Sequence, residues 1–152
     1  MRTINRISLI DHENETMGPR PMPHTYSVLN QLLTSLVPGG LGHVAVGTSC
    51  GGSAVMFAAN GFPGARHVYE NGTDGAERAL IAYMNEHFHD AVVDELVIAS
   101  GDGAFVDLVA EYKRRGTKIV VVANRGTLSR YLRMLADEVI YLPQDWQLTY
   151  AA

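Results

Sequence analysis

Val97-Ile98-Ala99-Ser100-Gly101-Asp102-Gly103-Ala104-Phe105 is the stretch on which the reading turns. Leu96 to Ala99 is an apolar run of the length of a buried strand. It stops at Ser-Gly. Asp102 then opens a segment with apolar residues at 105, 108, 109 and 112, the spacing of one helix face. Asp102 thus stands between a strand end and a helix start. In open α/β sheets, ligand-binding groups gather at the carboxyl ends of the strands. The simpler role for the same residue is an N-cap, accepting a hydrogen bond from the helix's free N–H groups.

The arrangement recurs on both sides. Arg6 to Ile10 reads as a strand that runs into Asp11-His12-Glu13-Asn14-Glu15. Such a cluster is either a self-bonded polar turn or a place to hold a hard cation through oxygen. Gly18, Pro19, Pro21 and Pro23 mark a loop, and Thr25 to Leu36 has the apolar spacing of an amphipathic helix, stopped by Pro38-Gly39-Gly40. A strand over His43–Val46 leads through a glycine-rich turn into a short helix, Ala54–Ala59; the turn lacks the Gly-Lys-Ser/Thr of a P-loop. Arg66–Glu70 is the third strand. It is followed by Asn71-Gly72-Thr73-Asp74-Gly75-Ala76-Glu77, where Asp74 and Glu77 have the spacing of a capping box, and then by a helix. Beyond the fourth strand, Glu95–Ala99, and its helix to Arg115 come Thr117–Ala123, a helix capped by Thr127 or Ser129, and a last strand, Val139–Leu142.

Regular alternation of strand and helix specifies an α/β fold, a three-layer α/β/α sandwich with a mainly parallel sheet. The 152 residues suit a single domain over 1–152, with 143–152 as a tail. With 47% hydrophobic and 18% charged residues the chain is globular, and no apolar run reaches the length of a membrane span. Cys50 is the one cysteine, which excludes a disulfide framework and a cysteine zinc site. The opening Met-Arg-Thr-Ile-Asn-Arg lacks the apolar core of a secretory signal, so the cytoplasm is the expected compartment. All six histidines read as structural or surface residues.

Acids follow three strands: Asp11 the first, Asp74 and Glu77 the third, Asp102 the fourth. Like charges brought to one sheet edge repel unless a cation neutralises them, and Mg²⁺ or Mn²⁺ suits carboxylate oxygens. Seven of the twelve basic residues lie between 113 and 133 with no acid among them: Lys113, Arg114, Arg115, Lys118, Arg125, Arg130 and Arg133. This is either a solvated face or a surface for a phosphate chain. A net charge of −4 argues against indiscriminate nucleic-acid binding.

The motifs resemble those of the NYN domains, a branch of the PIN-like nucleases. Ile10-Asp11-His12-Glu13-Asn14 is similar to their opening "(I/L)-D-x-x-N", and Gly75-Ala76-Glu77-Arg78-Ala79-Leu80 to their "G-x-D-x-A-L". Ser100-Gly101-Asp102-Gly103-Ala104-Phe105 resembles "S-G-D-S-D-F", and Ala136-Asp137 through Leu142 resembles "A-D-x-F-x-x-L". The resemblance implies a PIN-like, Rossmann-like sandwich and metal-dependent hydrolysis of RNA phosphodiester bonds. It implies metal ligands at Asp11, Glu77 and Asp102, with Asn14 orienting a ligand or a water and Asp74 an added acid. RNA, single-stranded or structured, would be held by Arg125, Ser129, Arg130 and Arg133; a homodimer stays open.

Two departures bear on this. Ala104 stands where the family usually has a second aspartate, and Glu77 where its central acid is usually Asp. The chain would then use one metal, recruit Asp74 or Asp107, or act as a silent module that binds RNA or a protein partner. A phosphatase with an aspartyl nucleophile ranks last, because Asp11-His12-Glu13 lacks the second aspartate of that class.

Overall fold

The computed structural model describes residues 2–16, 22–49 and 52–147. The Gly18–Pro21 part of the expected loop, Cys50 and Gly51 of the glycine-rich turn, and 148–152 of the expected tail lie outside them. The strands are β1 (Thr3–Asp11), β2 (His43–Thr48), β3 (Arg66–Tyr69), β4 (Val92–Ala99), β5 (Lys118–Ala123) and β6 (Glu138–Tyr141). The helices are α1 (His12–Glu15), α2 (Pro23–Leu36), α3 (Gly52–Gly61), α4 (Gly75–His87), α5 (Val106–Arg114) and α6 (Arg130–Leu135). Short 3₁₀ turns precede the last two helices at Gly103–Phe105 and Arg125–Thr127.

The six strands are all parallel in the order β3-β2-β1-β4-β5-β6. After β1 the chain builds outward to β2 and β3, then crosses back to lay β4 on the other side of β1. The order therefore reverses between β1 and β4, and the crevice of such a sheet opens beyond the carboxyl ends at that point. Two strands begin earlier than their apolar runs suggest. Thr3 and Ile4 pair with Val92 and Val93, so backbone pairing carries β1 and β4 back past the polar Asn5 and Asp94 that interrupt their apolar runs.

Side-chain alternation splits the core in two. Ile7 and Leu9 face Leu80 and Met84 of α4, Val109 and Tyr112 of α5, and Leu132 of α6. Ile10 faces Tyr26, Leu29 and Leu33 of α2 and Ala58 of α3. The central strands are covered on both faces, as their near-continuous Val/Ile content requires. Trp146 belongs to the second core at 2% exposure, so this part of the expected tail is anchored.

Candidate functional site

Asp11 is the last residue of β1 and is fully buried. It continues the odd-numbered series of Ile7 and Leu9, which directs it to the side where α4 packs. Its Oδ2 accepts the Ser100 hydroxyl at 3.0 Å, and its Oδ1 accepts the Asn14 N–H at 3.3 Å, capping α1. Ser100 in turn accepts the Asp102 N–H at 3.1 Å, and the Asn14 side-chain oxygen accepts the Gly101 N–H at 2.9 Å. These bonds tie the ends of β1 and β4 together across the reversal point. Asn14, expected to orient a ligand or a water, has its Oδ1 committed to that tie.

Glu77 arrives from the other side of the crevice on the first turn of α4. That placement depends on Gly75: a Cβ there would lie 1.8 Å from the Glu70 carbonyl oxygen. Only glycine lets the helix start so close to the end of β3. Asp74 occupies the N-cap position in the left-handed region, φ 58°, and makes no side-chain cap bond. The expected capping box is therefore not formed, because Glu77 turns to Asp11 instead and hydrogen-bonds to it. A non-glycine residue in this conformation costs on the order of 1 kcal/mol or more.

Asp102 is a capping residue that also reaches the other carboxylates. Its Oδ1 accepts the Ala104 N–H at 2.8 Å, capping the 3₁₀ turn that leads into α5. Its remaining oxygen is left for the crevice. Asp74, Glu77 and Asp102 each offer a carboxylate oxygen within 4.8 Å of the others. Asp11 stands behind this trio, in contact with Glu77. Asp107 lies exposed in the first turn of α5 and is not a member of the cluster. Asp74, and not Asp107, is the third carboxylate of the cluster.

The electrostatics follow from burial and crowding. Burial first, then the Glu77 hydrogen bond and charge, raise the Asp11 carboxyl well above the ordinary range, while Ser100 and Asn14 pull it down. Glu77 is also raised, by burial and by the charges of Asp102 and Asp74, with the Asp11 hydrogen bond opposing. Burial and crowding thus shift both Asp11 and Glu77 toward the protonated form. Among the described residues no Lys or Arg pairs with Asp11, Asp74, Glu77 or Asp102. An all-oxygen donor set of this charge and spacing fits a hard divalent cation such as Mg²⁺ or Mn²⁺.

Two buried groups next to this edge carry no sequence signal of their own. Glu15 is fully buried, and neither carboxylate oxygen has a hydrogen-bond partner among the described residues. Burial and then the Asp11 charge raise its carboxyl well above the ordinary range. His12 stacks on Tyr26 with ring centroids 3.5 Å apart, and burial lowers it to about 3. As expected of a structural histidine, it is neutral and packed.

The basic run divides into two kinds. Lys113 pairs with Asp137 at 2.9 Å, Arg114 and Arg115 with Glu111, and Lys118 with Glu138 at 3.7 Å. These four are neutralised by acids from outside the run. Arg125 lies over the Tyr141 ring at 4.2 Å, while Arg130 and Arg133 are exposed with no ion pair among the described residues. Ser129 caps α6 through Leu132 N–H and donates its own N–H to the Gly101 carbonyl at 2.8 Å. A Cβ on Gly101 would meet the Thr127 carbonyl oxygen at 2.4 Å. The segment before α6 is therefore seated against the loop that carries Asp102.

The sequence model of the NYN domain family matches residues 52–143. This range holds Asp74, Glu77, Asp102 and the strand β6, whereas the Asp11–Asn14 motif precedes it. Among solved structures, the chain is similar to a protein of unknown function from Vibrio parahaemolyticus, with a TM-score of 0.60 and 16% identity over 93% of this chain and 95% of that one. At that identity the likeness concerns the fold. No curated protein matches the chain. No helix among the described residues is long and apolar enough to cross a membrane.

Proposed function

The chain belongs to the NYN domain family, with its nuclease-like fold, and from that premise we propose that it is a ribonuclease dependent on Mg²⁺ or Mn²⁺ that hydrolyses RNA phosphodiester bonds. The observation that carries this reading is the gathering of Asp74, Glu77 and Asp102 at the reversal point with Asp11 behind them. Residues 1–152 act as one domain in this reading, RNA is the partner, and the cytoplasm is the compartment.

A cation bound by these carboxylates supplies Lewis acidity, lowering the pKa of water and offsetting charge on a phosphoryl oxygen. Asp74, Glu77 and Asp102 would hold it, and Asp11 would fix Glu77 by their hydrogen bond. Ser100 and Asn14 keep Asp11 and the Asp102 loop in register, so the set is organised before any ligand arrives. Because burial and crowding raise the carboxyls of Asp11 and Glu77, protons compete with the cation and its affinity should fall in acid. Arg125, Arg130 and Arg133 would take phosphates on the flank of Asp102, and Ser129 holds their segment in place.

The test is cleavage of a labelled single-stranded RNA in Mn²⁺ or Mg²⁺, with EDTA as control. Asp102→Asn keeps a capping residue and should fold as the parent does, yet lose at least ~100-fold of the activity. Parent-level cleavage by this variant would refute the assignment. Ala104 favours the second reading, a silent module that binds RNA; RNA binding without turnover in any divalent metal would establish it.

A further inference from the structure

Helix α6 buries one face and leaves the other unusually apolar. Leu132 is fully buried in the core, whereas Tyr131 and Met134 are 66% and 67% exposed. Residues three apart on a helix are neighbours, so Tyr131 and Met134 form one patch and Arg130 and Arg133 another beside it. Among the described residues Tyr131 has no hydrogen bond or ring contact, unlike Tyr83, Tyr112 and Tyr141, which are engaged by His43, Phe88 and Arg125. The two arginines have no acid to pair with among the described residues, whereas all four basic residues from 113 to 118 do. The patch also has a fixed place. Ser129 is bonded to Gly101, next to Asp102, and Tyr131 lies at most about 8 Å of chain beyond Ser129.

An aromatic face flanked by unpaired guanidinium groups matches one kind of ligand: a strand with phosphates and unstacked bases. In a duplex the base faces are hidden and only phosphates are offered; in a single strand each base presents a face to an aromatic ring. We propose that α6 is a single-strand platform, on which Tyr131 stacks an unpaired base, Met134 extends the surface, and Arg130 and Arg133 hold the adjoining phosphates. The substrate class is then single-stranded RNA, a tail or loop, presented beside Asp102; that the strand is RNA rests on the ribonuclease reading, while the stacking rests on α6 alone.

Binding in EDTA separates the platform from the chemistry. A labelled 12-nucleotide RNA without secondary structure and its 12-base-pair duplex are titrated by anisotropy. The parent should prefer the single strand. Tyr131→Ala should weaken single-strand binding by about 5- to 100-fold while leaving duplex binding and the salt slope unchanged. Tyr131→Phe should bind as the parent does. Arg130→Ala with Arg133→Ala should weaken both RNAs and flatten the single-strand salt slope by about 1.4 for two phosphates.

Equal single-strand affinity of Tyr131→Ala and the parent would overturn the platform. So would a Tyr131→Ala, Met134→Ala variant that turns a dimer into a monomer at unchanged RNA affinity, which would make the patch a protein interface. Metal-dependent cleavage with no Tyr131 effect refutes the platform and keeps the nuclease. The Tyr131 effect without cleavage keeps the platform and refutes the nuclease.

Discussion

The two ends of the sheet treat charge in opposite ways. At the amino ends of the strands, Arg6 pairs with Glu95 at 2.8 Å, and the register sets Glu95 opposite both Arg6 and Lys118. Lys118 reaches Glu138 at 3.7 Å. Basic and acidic side chains alternate across four strands, and each has a partner. At the carboxyl ends of β1, β3 and β4, Asp11, Asp74, Glu77 and Asp102 meet without a cation from the described protein. Glu15 is buried beside them, its carboxylate without a partner among the described residues. Both ends belong to one scaffold of paired parallel strands. Charge at the first end stabilises the fold, and charge at the second is held against the fold's own interest.

The contrast breaks hardest at Glu77. Glu77→Gln should lower metal-dependent cleavage by at least ~100-fold. In EDTA at neutral pH the same variant should be more stable than the parent, because a carboxylate crowded by three others is replaced by an amide that donates to Asp11. A gain of about 1 kcal/mol would raise Tm by about 2–4 °C. Scanning calorimetry in EDTA and in Mn²⁺ checks both halves. A variant destabilised in EDTA would mean that the cluster is internally satisfied.

His12 and Glu15 move stability in opposite directions with pH. The His12 pKa falls from the ordinary 6.5 to about 3 in the fold. The unfolded chain therefore takes up the proton first, and stability is lost as pH drops below 6.5. Between pH 6.5 and 5 the loss is about 2 kcal/mol. His12→Phe keeps a ring against Tyr26 and should flatten this part of an acid-unfolding profile.

For Glu15 the folded-state pKa is raised, so its stability is present in acid and is lost as pH rises from the ordinary carboxylate range through the raised folded-state value. Glu15→Met removes both orphan oxygens at similar volume. It should gain about 1–3 kcal/mol at pH 8 and little at pH 4. Equal stability of parent and variant at pH 8 would show that Glu15 has found a partner in solution.

How far the sequence carries depends on whether the signal is local. Strand and helix alternation is local, and it defines the layers. The strand order is not local: no residue announces that β4 crosses back to lie against β1, and this crossing brings Asp11 next to Ser100. Asp102 is legible as a cap and a ligand candidate because both follow from its place at a junction. Asp74 and Glu77 mislead locally. Their spacing is that of a capping box, yet Asp74 adopts a left-handed backbone and Glu77 bonds a residue 66 positions away. The basic run misleads in the same way, since the acids that neutralise Lys113 to Lys118 lie at 111, 137 and 138. Glu15 is illegible because its burial arises from packing around α1.

The smallest effect is expected where the sequence departs most visibly from its family. Ala104 is exposed at the head of the 3₁₀ turn, and its N–H is already given to Asp102 Oδ1. Ala104→Asp would add a negative charge to a turn that tolerates one. If the cluster were short of a ligand, that charge would tighten Mn²⁺ binding and speed cleavage. Asp74 already stands within 4.8 Å of Glu77 and Asp102, so the place is filled from the other side of the crevice. Ala104→Asp should therefore change Mn²⁺ affinity by no more than about 2-fold, the usual reach of a surface substitution. Asp74→Asn should cost ~10-fold or more. Calorimetric titration of Mn²⁺ into both variants decides between them. Were Ala104→Asp to tighten binding and Asp74→Asn to leave it alone, Asp74 would be a loop residue, and the uncompensated charge at this end would fall to Asp11, Glu77 and Asp102.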